Sequence, residues 1–568
     1  MSETGAQAPA GAPGVAEDED PRGDLRWGSV PSLVADAAAR FGDAEAVVDG
    51  DVRLSFTELA DRALVVTRAA IGAGLRPGDT VAMWAPNMWE WVVGALGLLG
   101  AGATLVPLNT RFKGPEAAYV LAKARARILV TVRGFLGNDY PAMLQGEDIP
   151  TLERIVLLRD EGGPSEVLTR TDEVPVYSFE EFLAAAEGVV EAEGDMVDRP
   201  VTEHEARARW KAVTSDDLSD IIFTSGTTGR PKGAMTTHGQ TLRTFAAWAS
   251  VVGLAEGDRY LIVNPFFHTF GYKAGIVACL TRGATIVPEA VFDVDRVLER
   301  IAAERISVLP GPPTLYQSIL EHKRRGAVDL SSLRLAVTGA AAVPVELVRR
   351  MTAELSFETV LTAYGLTEST GTVTMCRRGD DPEIVATTSG RAIPGLEVRL
   401  VGDDGVDVES GTPGEILVRG YTVVSGYFED PEATAEAIDA DGWLHTGDVG
   451  VMDAAGNVAV TDRKKDMFIV GGFNAYPAEI ENALLGHDGV AQVAVVGMPD
   501  ERLGEVGCAF VVPRAGHDGA ALAETLVPWA RERMANYKVP RRVEVVDALP
   551  LNASGKVLKT ELRARVSG

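Results

Sequence analysis

Cysteine is scarce: the 568 residues hold three, Cys279, Cys376 and Cys508, widely separated along the chain. That excludes a disulfide framework and every zinc-ribbon spacing; lone thiols suit a reducing compartment and small buried positions. Histidine is also rare, seven residues without a paired-ligand pattern. Basic charge is outweighed, and a net charge of −27 would repel a phosphate backbone, which argues against general nucleic-acid binding. A long uninterrupted apolar run is missing as well. The most membrane-like stretch, Trp91 to Leu108, contains glycines and a proline. It reads as a buried helix, a turn at Gly100-Ala101-Gly102 and a short strand, not a membrane span. Residues 1–25 have neither the basic nor the apolar region of a signal peptide, and their Ala, Gly, Pro and acidic content reads as a disordered acidic tail. A cytoplasmic protein is expected.

What the chain does have is length, 46% hydrophobic residues and a rhythm of short apolar runs. Ala46–Val48, Thr80–Trp84, Thr104–Val106 and Ile128–Val132 read as buried strands between Ala-rich amphipathic segments. Tyr260–Val263, Thr285–Val287, Ser307–Leu309 and Leu333–Thr338 repeat the pattern. Such alternation predicts α/β architecture with mainly parallel sheets. Residues 137–210 interrupt it and read as a surface excursion with a helix near 179–187. From Glu397 to Gly450 short β runs predict a β-rich subdomain, and a new compact α+β unit begins after Asp462. The expected division is a tail over 1–25, a large N-terminal domain over 26–463 and a small C-terminal domain over 464–568.

Thr224-Ser225-Gly226-Thr227-Thr228-Gly229-Arg230-Pro231-Lys232-Gly233 follows the apolar run Ile221-Ile222-Phe223. Glycines let backbone N–H groups approach an anion, the hydroxyls donate, and Lys232 and Arg230 add positive charge. Alone it would read as a surface turn. It is not a Walker A loop, because Pro231 precedes Lys232 and Gly233 follows it. Tyr364-Gly365-Leu366-Thr367-Glu368 offers an aromatic face, a hydroxyl and a carboxylate able to serve Mg2+, or else an ordinary strand-to-loop turn. Asp448, in Gly442-Trp443-Leu444-His445-Thr446-Gly447-Asp448, could accept from a cis-diol or cap a turn. The charged run Asp462-Arg463-Lys464-Lys465-Asp466 and the loop Pro550-Leu551-Asn552-Ala553-Ser554-Gly555-Lys556 complete the series.

In this order, over roughly residues 30–565, the motifs resemble those of the acyl-adenylate-forming enzymes: acyl-CoA synthetases, luciferases and peptide-synthetase adenylation domains. The resemblance implies that a carboxylate attacks ATP to give acyl-AMP, and that CoA then displaces AMP. It implies ATP, Mg2+ and CoA as co-substrates and cofactor. Thr224, Ser225, Gly226, Thr227, Thr228, Gly229 and Lys232 would bind the phosphates, with Thr228 and Glu368 at the metal. Tyr364 would lie at adenine, Thr367 at the α-phosphate, Asp448 and Arg463 at the ribose, with Gly365 also in the nucleotide site. Lys556 would be the catalytic lysine, offsetting charge between the carboxylate and the α-phosphate, and Lys465 the hinge of a mobile C-terminal domain. Gly471, Gly472 and Phe473 would face the pantetheine arm after rotation.

The same resemblance puts Asn264-Pro265-Phe266-Phe267-His268-Thr269-Phe270-Gly271 at the acyl site, with His268 a gate beside the carboxylate or a packed histidine. Phe267, Tyr272, Lys273, Gly339, Ala340, Ala341 and Thr362 are pocket or near-pocket candidates. Lys273, unusual among apolar neighbours, would pair with a polar substrate group or reach the surface. Ile469 stands about where some members carry a second lysine, which weighs against a luciferase. Asn264–Leu280 together with Val308–Ser318 is similar to the actinobacterial CoA ligases of steroid catabolism. That implies an indanedione propanoate (HIP) as the acid; medium-chain fatty acids and aryl acids are alternatives, as is a nucleotide-binding protein without turnover. Expected partners are a small carboxylic acid and CoA, with no nucleic acid and no membrane span; a homodimer stays open.

Overall fold

A computed structural model describes residues 20–566 apart from 162–169, 172–173, 188–199, 225–230, 340–342, 344, 464–465, 471–472, 476, 501, 532, 535 and 552–556. The architecture is α/β, with a large N-terminal domain and a smaller α+β C-terminal domain.

The largest sheet has eight strands. In spatial order they are Lys232–Thr237, Leu218–Thr224, Thr104–Pro107, Thr80–Trp84, Ile128–Arg133, Arg154–Asp160, Val174–Ser178 and Arg170–Thr171. Its centre is parallel, as buried Val/Ile/Leu-rich strands with helical crossovers require. Helix Phe56–Gly72 begins with a capping box, Ser55 and Glu58 each satisfying the other's backbone N–H. Helix Trp89–Gly100 follows Thr80–Trp84 and is buried nearly all round. No described helix is long and apolar enough to cross a membrane.

A second sheet carries the order Arg259–Ile262, Thr285–Pro288, Glu45–Asp49, Val52–Ser55, and a third Leu335–Gly339, Thr359–Tyr364, Thr374–Met375, Arg391–Ala392. Val308 bridges Tyr260 on one side and Leu335 on the other, both in parallel, and so joins these two sheets. The strand expected at Ser307–Leu309 is thus a single bridging residue. Glu397–Val401, Gly414–Arg419, Leu444–Met452 and Val458–Arg463 form the antiparallel β-rich subdomain.

Two expectations need correction. Residues 137–210 are not only a surface excursion, because Arg154–Asp160 enters the eight-stranded sheet with Ile155 and Val156 buried. Charge and glycine on either side of that strand hid its apolar centre. The tail is also shorter than 25 residues among those described. Asp20 pairs with Arg243, and helix Gly23–Trp27 lies so close to helix His238–Val252 that a Cβ on Gly23 would stand 2.5 Å from the Leu242 carbonyl oxygen. Residues 1–19 lie outside the described ones.

The C-terminal sheet has the order Phe473–Ala475, Phe468–Val470, Gly504–Pro513, Val490–Asp500, with Arg542–Val545 parallel to Gly504–Pro513. Its apolar residues form their own clusters, one around Val495, Leu484 and Leu526 and another around Phe510, Leu549 and Leu562. All three cysteines are free and buried.

Candidate active site

Thr224 ends one strand of the large sheet and Lys232 begins its antiparallel neighbour; the two are cross-strand partners. They flank residues 225–230, so Ser225, Gly226, Thr227, Thr228 and Gly229 lie outside the described residues. Gly339 and Tyr364 likewise end parallel strands of the third sheet. Ligands of open α/β sheets bind beyond the carboxyl ends of strands, and the expected nucleotide residues stand at such ends.

Two hydrogen-bonded groups assemble there. In the first, the Tyr364 hydroxyl donates to Asp448 Oδ2 at 2.7 Å. Asp448 is 5% exposed, its own N–H donates to Thr446 Oγ1 at 3.1 Å, and its cross-strand partner is Arg463, whose side chain is outside the described set. In the second, Glu368 Oε1 accepts from Tyr427 OH at 2.9 Å and from Thr224 Oγ1 at 3.3 Å. Glu368 lies on the short helical turn Thr367–Ser369, and its carbonyl accepts from Val424 N–H at 3.0 Å. Gly365 makes this turn fit: a Cβ there would stand 2.3 Å from the Gly371 carbonyl oxygen. Burial first, and the Glu368 carboxylate second, push the Tyr427 hydroxyl well above its ordinary pKa, which keeps it a neutral donor.

The expected acyl segment is held by a residue that motif reading missed. Buried Asn87 donates to the carbonyls of Ile262 and Asn264 at 3.0 and 2.9 Å and accepts from Phe266 N–H at 2.8 Å. An amide directly after the apolar strand Thr80–Trp84 and Pro86 was the available signal. His268 Nδ1 accepts from Phe270 N–H at 3.2 Å, capping the turn Thr269–Gly271, and Phe267 is half-buried beside it. Tyr272 is fully buried, its ring 5.5 Å from that of Trp91. The Thr362 hydroxyl donates to main-chain carbonyls of Val385 and Thr388, both at 2.8 Å, so its polar group is engaged by protein. A Cβ on Gly339 would stand 2.5 Å from the Ala363 carbonyl oxygen.

Lys273 corrects the reading made of it. It neither reaches the surface nor stands free for a substrate: its Nζ lies 2.8 Å from Asp220 Oδ1, both side chains fully buried. Burial pulls the Lys273 pKa down and Asp220 opposes the shift. Asp220 lies on the strand that ends at Thr224, and Lys273 in the π-helical segment Tyr272–Val277. The pair therefore ties strand Leu218–Thr224 to the segment Tyr272–Val277. Ala340, Ala341, Lys465, Gly471, Gly472 and Lys556 lie outside the described residues, as does the side chain of Phe473.

Residues 34–428 match the model of the AMP-binding enzymes, and 479–556 that of the AMP-binding enzyme C-terminal domain. The chain belongs to the AMP-binding enzyme family. Among its relatives is the 3-[(3aS,4S,7aS)-7a-methyl-1,5-dioxo-octahydro-1H-inden-4-yl]propanoyl:CoA ligase of Rhodococcus jostii, 53% identical with 94% of this chain and 98% of the relative covered. The enzyme of that name from Mycobacterium tuberculosis is 48% identical, covering 95% and 99%. Among solved structures, the anthranilate CoA ligase AuaEII in complex with anthranoyl-AMP superposes with a TM-score of 0.82 at 28% identity, covering 95% of this chain and 97% of that one. This AMP-binding enzyme is an acid–thiol ligase that works through acyl-AMP, with ATP and CoA as substrates.

Proposed function

We propose that this ligase activates the propanoate side chain of a methyl-indanedione, the HIP acid. The observation that carries the substrate is the 53% identity, over 94% of the chain, to a CoA ligase named for that acyl group. The convergence of Tyr364 with Asp448, and of Glu368 with Thr224, supports the site roles.

In the first half-reaction a carboxylate oxygen bonds to the α-phosphorus of ATP as the bond to pyrophosphate breaks. Tyr364 lies along the adenine and orients Asp448 toward the ribose hydroxyls, joined by Arg463; Gly365 lets the turn that follows Tyr364 close at the nucleotide, and Thr367 meets the α-phosphate. Thr224, residues 225–229 and Lys232 take the phosphates. Among the described residues no three His, Cys, Asp or Glu side chains form a metal cage. Glu368 nevertheless fits Mg2+, which takes one or two carboxylates plus substrate oxygens and water. Thr228 would be its second protein ligand. When bound, the ion neutralises phosphate charge. Lys556 does the same between the carboxylate and the α-phosphate. His268 stands beside the acid, and Phe267, Tyr272, Gly339, Ala340, Ala341 and Thr362 border its pocket.

In the second half-reaction the CoA sulfur bonds to the acyl carbon, AMP leaves and the thiol proton is lost to solvent. Domain 464–568 turns about Lys465 relative to 26–463. This withdraws Lys556 and brings Gly471, Gly472 and Phe473 to the pantetheine arm. The cytoplasm, where ATP and CoA are plentiful, is the proposed location.

Product analysis tests the reading. With ATP and the acid alone, acyl-AMP should form; adding CoA should convert it to acyl-CoA with one AMP released. Acyl-AMP that persists in the presence of CoA would make the protein an acyl-AMP ligase instead.

A further inference from the structure

Tyr427 belongs to none of the motifs that point to adenylation, yet it touches two of their residues. Its hydroxyl donates to Glu368 Oε1 at 2.9 Å, and the Lys232 ammonium lies 5.3 Å from the centre of its ring. The latter is within the range of a cation–π attraction. We propose that Tyr427 is a positioning residue for adenylation, setting the Glu368 carboxylate with its hydroxyl and the Lys232 ammonium with its ring. The inference rests on Glu368 and Lys232 serving the nucleotide as proposed above.

The backbone around Tyr427 is built to hold it there. Ser425 N–H donates to the Met235 carbonyl at 2.9 Å, Met235 N–H to that of Gly426 at 2.9 Å, and Phe428 N–H to that of Gly233 at 2.8 Å. Residues 425–428 thus run antiparallel beside Lys232–Thr237, with Tyr427 bridged to Ala234, two positions on from Lys232 and so on the same face of the strand. Gly426 has φ +125°, and a Cβ there would stand 2.6 Å from Thr434 Cγ2. Tyr427 N–H in turn donates to Thr434 Oγ1 at 2.9 Å. One main-chain link, Val424 N–H to the Glu368 carbonyl at 3.0 Å, fixes the same segment to the carboxylate's own turn.

The division of labour follows from lone pairs. A carboxylate oxygen has two, and Oε1 of Glu368 spends them on Tyr427 and Thr224. That leaves Oε2 for a ligand and fixes the plane of the carboxylate. A tyrosine there only for packing would be replaceable by phenylalanine without consequence.

The test uses full-length Tyr427→Phe, Tyr427→Leu and Glu368→Gln. It reads ATP binding by calorimetry, with EDTA or with Mg2+, and acyl-AMP formation without CoA. Tyr427→Phe should bind ATP in EDTA within about twofold of wild type, because the ring still sets Lys232, and lose roughly fivefold of the affinity gained on adding Mg2+. The Mg2+ concentration for half-maximal acyl-AMP formation should rise by a similar factor. Tyr427→Leu should in addition weaken ATP in EDTA roughly threefold. A Tyr427→Phe variant with the full Mg2+ gain, beside a Glu368→Gln variant that has lost it, overturns the inference and leaves the nucleotide site standing. A Glu368→Gln variant that keeps the gain removes the site reading and the inference with it. Should Tyr427→Leu fail to fold, the phenylalanine variant still decides.

Discussion

The Tyr364 hydroxyl donates to Asp448 Oδ2 across 2.7 Å, joining side chains 84 residues apart. One comes from the end of a parallel strand, the other from the β-rich subdomain. If Asp448 binds ribose, this bond orients it. Tyr364→Phe keeps the aromatic face and removes the bond, so KM for ATP should rise about tenfold, as for losing a hydrogen bond to a charged group. Initial rates at varied ATP check it; an unchanged KM would separate Tyr364 from Asp448 in function.

The buried Lys273–Asp220 pair should behave as a unit. Removing either partner strands a charge, and Lys273→Met or Asp220→Leu alone should cost about 3–5 kcal/mol. The double variant should be more stable than either single one. Denaturation of the three variants checks this, and simple additivity would contradict it.

His238 gives a pH dependence with a definite sign. Burial lowers its pKa from 6.5 to about 4. Between these values the unfolded chain binds the proton and the folded one does not, so stability falls as the pH drops through this window and levels off below it. The loss at pH 5 is about 2 kcal/mol relative to neutrality. His238→Asn keeps an acceptor for the Val30 N–H, now bound by Nδ1 at 3.2 Å, and should show a shallower fall in melting temperature between neutral pH and about pH 5. Equal slopes in both proteins would rule out His238 as the source.

The two half-reactions should separate by residue. Lys556→Ala should abolish acyl-AMP formation, by a hundredfold or more on the order of an electrostatic catalytic group, and spare thioester formation from supplied acyl-AMP. Lys465→Pro should do the reverse, because it restricts the backbone rotation that the second step requires. Each half-reaction is assayed alone; comparable losses in both would contradict the division.

Much of this was legible in the chain. The parallel strands Thr80–Trp84, Thr104–Pro107 and Ile128–Arg133 declared themselves because strands buried on both faces are continuous apolar runs. Glu368 and Asp448 could be picked out as candidates because their motifs pack several polar side chains of different chemistry into a few residues, and the fold sets them against Thr224 and Tyr364. Asn87, Asp220 and Tyr427 could not, since each acts through a partner distant in sequence: Asn87 holds Phe266, Asp220 meets Lys273, Tyr427 meets Glu368. Lys273 was misread for the same reason. A lysine among apolar residues announces a buried charge, but only the fold supplies its counter-ion.

The most direct test of the central claim is the CoA- and ATP-dependent kcat/KM for the methyl-indanedione propanoate, set beside octanoate and an aryl acid such as ferulate. The expected result is a preference for the indanedione acid of at least about a hundredfold, because an acyl site that takes a bicyclic ring as proposed would be left partly unfilled by a flexible chain or a flat aryl acid. Equal or higher kcat/KM for octanoate or ferulate would contradict it, leaving an acid–thiol ligase with a different substrate.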